Sequence, residues 1–133
     1  MNIRGLRIGS LIKISPRENQ EGLLAVAEIQ KETLIGEMLE PRQDYLFRIK
    51  FDEIIQIPLT EEWLEKTGFS KDPAGGHRWI DGRGLLDFDF SRKQFYKDGL
   101  IPSKAVNFVH ELQNGYFFLT GEEVSIGQAA ASS

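Results

Sequence analysis

Four short runs in the first 57 residues set the strongest limit on the fold. In LRIGSLIKI (6–14), Leu6, Ile8, Ser10, Ile12 and Ile14 alternate with Arg7, Gly9, Leu11 and Lys13; GLLAVAEI, TLIGEML and YLFRIKF follow, separated by polar stretches such as SPRENQE and EPRQD. A period of two puts one row of side chains on each face of a strand, and runs this short cannot bury an apolar row alone. The segment therefore predicts a meander of about five strands. Its edges are best hidden by curling into a small Src-homology-like β-barrel over residues 1–58, with FDEI from Phe51 as a single helical turn before the last strand.

A sharply punctuated helix follows in IPLTEEWLEKTGF (57–69). Thr60 is the candidate N-cap, Glu61 and Glu62 place negative charge at the positive end of the helix dipole, and Leu59 and Leu64 occupy the positions of a hydrophobic staple. Gly68 suits the left-handed position after the C-cap, with Phe69 able to touch Leu64. A helix of two turns is marginal alone, so Trp63 and Leu64 must be buried.

SKDPAGGHRWIDGRGLLDFDF (70–90) reads as loop, strand, tight turn and strand, with Gly75, Gly76 and Gly82 supplying positive φ. Leu86, Phe88 and Phe90 alternate against Asp87 and Asp89, giving one apolar and one acidic face. A turn at Asp98 and Gly99 leads to Ser103 as the cap of a final helix from about Lys104 to Leu119, ending at Gly121. On it Ala105, Phe108, Val109, Leu112, Tyr116 and Leu119 form the expected core stripe, which leaves His110, Asn114, Phe117 and Phe118 on the outer flank. Gly115 inside this helix costs about 1 kcal/mol relative to alanine, which the close approach of another backbone would explain. Residues 59–126 thus read as a helix–hairpin–helix extension, with Glu122–Ile126 returning as an edge strand and residues 127–133 as a disordered tail. The class is α+β.

Charge narrows the function. The chain carries 16 basic and 20 acidic residues, 8 and 9 of them before Pro58 and 8 and 11 after it, so neither half has the basic surplus that neutralising phosphates requires. Nucleic acid is not the expected partner. The absence of cysteine excludes disulfides, thiol catalysis and cysteine-ligated zinc. No apolar stretch approaches the roughly 20 residues that cross a bilayer, and the first ten residues lack the apolar block of a secretory leader, which together give a cytoplasmic expectation with no membrane partner.

Three surfaces remain as candidates. His77, Arg78, Trp79 and Arg83, within GGHRWIDGRG (75–84), combine a stacking ring, cationic forks and mobile backbone, the elements of an anionic-nucleotide site, although the segment matches neither phosphate-binding glycine fingerprint. Asp87 and Asp89, two apart on a strand and with Asp81 nearby, point the same way and could begin a metal-hydrolase site; the alternative is the wet face of a half-buried strand. His110, Asn114, Phe117 and Phe118 would form a protein or self-association interface if the two phenylalanines are not a second layer of core.

IPLTEEWLEKTGF at 57–69 and VHELQNGYFFLTGEEV at 109–124, together with LRIG at 6–9, resemble a small uncharacterised protein family of Bacteroidetes and the phages and prophages they carry. The resemblance implies a mobile-element setting and brings no activity, cofactor or catalytic residue. Gly115 departs from the bulky residue expected after the LQN element. The functional expectation is a noncatalytic binding module without a cofactor, taking a protein partner or a second copy. The alternatives are a sponge for an anionic nucleotide signal, or a hydrolase using Asp87 and Asp89.

Overall fold

The computed structural model describes residues 6–17, 20–40, 45–97, 99, 101 and 105–124. They belong to two compact units, one formed by the chain up to Ile57 together with Phe108–His110, the other by Pro58–Asn107 and the chain from Glu111 onward. The fold is α+β, with two antiparallel four-stranded sheets.

In the first unit β1 (Leu11–Arg17), β2 (Gln20–Ile29), β3 (Thr33–Glu40) and β4 (Tyr45–Lys50) form a meander in the order β1-β2-β3-β4. A single 3-10 turn at Phe51–Glu53 follows, where the sequence places it. The chain then returns to β1: Lys13 donates to the Ile55 carbonyl at 3.0 Å and Ile55 to the Lys13 carbonyl at 2.8 Å. This bridge is isolated, and the described residues form no closed barrel. The core is one face of the sheet, built from Ile12, Ile14, Leu24, Val26, Leu34 and Ile49, with Leu6 and Ile54 closing it and Phe51 packed alongside. Gly36 sits at its centre, where a Cβ would lie 2.8 Å from Leu24 Cδ2, so the bare backbone is what lets that leucine in.

The first strand begins later than its alternation suggests. Ser10 Oγ accepts the Arg7 N–H at 3.0 Å and Gly9 takes a φ of +95°, which turns the chain before Leu11. Ile8, read as a core position, is consequently exposed.

The second unit opens with α1 (Glu61–Lys66), whose caps are those the sequence predicts. Thr60 Oγ1 accepts the Trp63 N–H at 3.2 Å, and Gly68 has a φ of +96°. Trp63, Leu64, Leu59 and Phe69 are all buried. The expected hairpin is the centre of a larger sheet, β5 (Phe69–Lys71), β6 (Arg78–Asp81), β7 (Asp87–Asp89) and β8 (Gln94–Tyr96), in that order. Its inner face carries Trp79, Phe88 and Phe95, the last two edge to face at 5.3 Å. Gly75 and Gly76 have positive φ as expected; in the β6–β7 turn that role falls to Gly84 rather than Gly82.

The last helix, α2, spans Val109–Thr120 and starts five residues later than its apolar stripe implies. Gly121 ends it, at φ +79° with its N–H on the Phe117 carbonyl. Glu122–Val124, expected to open an edge strand, form no strand, and Asp98, Ser103, Lys104 and residues 125–133, including the expected cap and the tail, lie outside the described residues.

Candidate functional site

The second unit is organised around Asp81, at the end of β6. This carboxylate is buried and accepts four hydrogen bonds: the N–H groups of Arg83 (3.0 Å), Leu85 (3.1 Å) and Leu86 (3.2 Å), and the Tyr116 hydroxyl from α2 (2.5 Å). The three backbone donors are the β6–β7 turn itself, so one side chain fixes the turn and ties it to the helix. Burying a carboxylate is tolerable only when its lone pairs are satisfied in this way. Tyr116 also lies edge to face on Phe69 at 6.1 Å, and the Arg83 guanidinium sits 4.8 Å from its ring centroid. Burial first, then the bond to Asp81, push the Tyr116 phenol well above its ordinary range. The sequence places Asp81 in a turn with Gly82 and close to Asp87 and Asp89; an aspartate two before an arginine in a glycine-rich turn is the signal of an Asx-type turn, but its partner 35 residues away leaves no local trace.

The four residues offered as a nucleotide site are not brought together as one. Arg78 and Trp79 are neighbours on β6 and point to opposite faces of the sheet. Trp79 is buried, its Nε1 without an acceptor among the described residues, so its ring is no stacking platform. Arg78 donates through Nε and Nη2 to Asp87 Oδ2 at 3.2 and 2.7 Å and lies 4.7 Å from the Tyr96 ring centroid. Arg83 lies over Tyr116 and pairs loosely with Glu122 at 3.7 Å. His77 is exposed in the loop before β6.

The carboxylate pair has partners within the protein. Asp87 binds Arg78 with one oxygen and the Asp81 N–H with the other at 3.1 Å. Asp89 Oδ1 accepts the Ser91 hydroxyl and the Ser91 and Arg92 N–H groups, organising the β7–β8 turn. Burial works against the charged form of Asp89, yet these donors, the Ser91 hydroxyl foremost, hold its carboxyl below the ordinary range. No group of three or more metal-binding side chains occurs among the described residues.

The proposed interface divides. Tyr116 takes the core position, while Phe117 is 43%, Phe118 86% and Leu119 40% exposed. Three successive apolar side chains at the end of α2 thus face solvent, including Leu119, which its spacing assigns to the core. His110, read as an outer residue, is instead buried and stacked on Phe108, with ring centroids 6.0 Å apart. Asn114 is half-buried. Gly115 has its explanation in a side chain rather than a backbone: a Cβ there would lie 2.5 Å from Phe95 Cε2, so the aromatic ring of β8 occupies the space.

Comparison with protein-family models, curated proteins and solved structures finds no match to this chain. Among the described residues, no helix is long and apolar enough to cross a membrane.

Proposed function

We propose that this protein is a noncatalytic binding module that takes a protein partner through the end of α2. The observation that carries the reading is the exposure of Phe118, at 86%, flanked by Phe117 and Leu119. Tyr116, Leu112 and Val109 fill the core positions of the helix, so Phe118 in particular stands outside them. Aromatic side chains that stand in water on a rigid helix lose little conformational entropy on docking and supply large contact area, the properties of interface anchors. Arg78, Asp87 and Asp89 are engaged in holding strands and turns of the second sheet, and the Arg83 guanidinium lies over Tyr116, which favours the binding module over both alternatives. The mobile-element setting implied by the sequence resemblance fits a small protein that acts by occupying a larger one. We further infer that the first unit is a Src-homology-like sheet, partly closed by the return of Ile55 to β1.

Phe118→Ser and Phe117→Ser test the reading. Both variants should fold with unchanged stability and lose partner capture in pull-downs from the producing cells. Retained capture by both, or a nucleotide-dependent thermal shift that Arg78→Ala abolishes, would reject it.

A further inference from the structure

We propose that the surface seated on the end of α2 belongs to a protein and is an apolar hollow rimmed by lysine or arginine, rather than a second copy of this chain or a lipid surface. The inference rests on the reading of that end as the binding surface and adds the chemistry of what it binds. Between Ala105 and Val124 the chain has no lysine or arginine, and its carboxylates are Glu111, Glu122 and Glu123. At about 100° per residue Glu111, Asn114 and Phe118 share one flank of the helix. Glu122 follows four residues after Phe118, with its side chain 58% exposed. The exposed rings therefore stand among acids.

The backbone points to the same partner. A helix leaves its last carbonyls without donors of its own. Here Thr120 Oγ1 donates to the Tyr116 carbonyl at 2.7 Å, and the Gly121 N–H to the Phe117 carbonyl at 2.8 Å. The Glu122 N–H, next in line for Phe118, donates instead to Thr120 Oγ1 at 3.1 Å. The carbonyls of Phe118 and Leu119 thus accept nothing from the described residues, directly beside the exposed side chains. They lie at the negative end of the helix dipole, where lysine and arginine supply both charge and donors. Arg83 reaches this end from the β6–β7 turn, 3.7 Å from Glu122, too far for a hydrogen bond, while its guanidinium lies over the Tyr116 ring. It leaves both carbonyls unserved.

The same groups disfavour the other occupants. Pairing this end with its own copy across a two-fold axis brings like charges together and supplies no donor to the carbonyls. An anionic lipid surface attracts basic segments and repels the carboxylates that flank Phe118. A hollow that takes the Phe118 ring, with cationic side chains around its mouth, satisfies the ring, the carbonyls and Glu122 together, with the aromatic anchor at the centre and the charges on the rim.

Fluorescence anisotropy with two labelled helical peptides tests the proposal, one of leucine and lysine with its leucines on one face, the other with glutamate in place of lysine. The lysine peptide should bind the wild-type chain and the glutamate peptide should not. Phe118→Ser should abolish the binding. Glu122→Lys should weaken it about five- to tenfold, and more than Asp52→Lys, which makes the same change in net charge at an exposed carboxylate of the first unit. Glu122→Gln should give a smaller loss in the same direction, from a change too slight to disturb the fold. Equal effects of Glu122→Lys and Asp52→Lys, or a glutamate peptide that binds as tightly as the lysine peptide, with Phe118→Ser still abolishing both, would overturn the basic rim and leave the surface standing. A lysine peptide that binds Phe118→Ser as well as wild type would reject the surface itself. A lysine peptide that does not bind the wild-type chain, or wild-type chain that sediments with phosphatidylglycerol vesicles while Phe118→Ser does not, would also overturn the proposal.

Discussion

Tyr116→Phe removes one oxygen atom and leaves the packing of the second unit in place, which makes it the cleanest probe of the Asp81 centre. The hydroxyl is one of four donors to a buried carboxylate, and the three backbone donors remain in the variant. The loss is therefore that of one hydrogen bond to a charged group, about 1.5–3 kcal/mol, rather than the larger cost of an orphaned buried charge. At roughly 4 °C per kcal/mol for a domain of this size, Tm should fall by about 6–12 °C. In urea the midpoint should fall with the slope unchanged, because the surface exposed on unfolding is the same. The pH dependence supplies an independent sign. With its folded-state pKa raised, Tyr116 keeps its proton where the unfolded chain has lost it, so its contribution is complete below the ordinary tyrosine value near 10 and declines as pH rises beyond it. Tyr116→Phe lacks that decline, and the stability curves of the two proteins should converge above about pH 10. A variant within about 0.5 kcal/mol of wild type at neutral pH would refute the reasoning, since a change of that size is what an unremarkable surface substitution gives.

Gly115→Ala should destabilise by about 1–3 kcal/mol in chemical denaturation despite alanine's helix propensity, because the new methyl group meets the Phe95 ring at 2.5 Å. Thr60→Ala should cost about 1 kcal/mol through loss of the cap on the Trp63 N–H, measured the same way. Lys93, the one described non-glycine residue with positive φ (57°), should accept glycine with a gain of up to about 1 kcal/mol, read as a raised urea midpoint. Asp89 has a lowered pKa, so its contribution is present above the unfolded aspartate value near 4 and lost below it; Asp89→Asn should flatten the acid limb of the stability curve.

Much of the fold is legible in the sequence where the signal is local. The strands of the first unit follow from their alternation, and the caps of α1 from Thr60 and Gly68, because each depends on neighbours a few residues away. Strands β5 and β8 carry no such signal: three residues are too few for a periodicity, and FSK and QFY become strands only by pairing with β6 and β7. The start of α2 misleads for a related reason, since Ala105 and Phe108 continue the apolar spacing although the helix begins at Val109. The candidate sites divide along the same line. The opposite facing of Arg78 and Trp79 follows from adjacency on a strand, whereas the capture of Arg78 by Asp87, and of the Asp81 carboxylate by Tyr116, joins residues whose proximity only the folded sheet creates.

A photo-crosslinking residue placed in turn at positions 118, 117, 83 and 77 tests, inside the producing cells, whether the end of α2 is the working surface. The binding-module reading predicts a discrete protein adduct at 118 and 117 and none at 83 or 77. Adducts confined to 77 and 83, or none at any position from a protein shown to be folded, would contradict it.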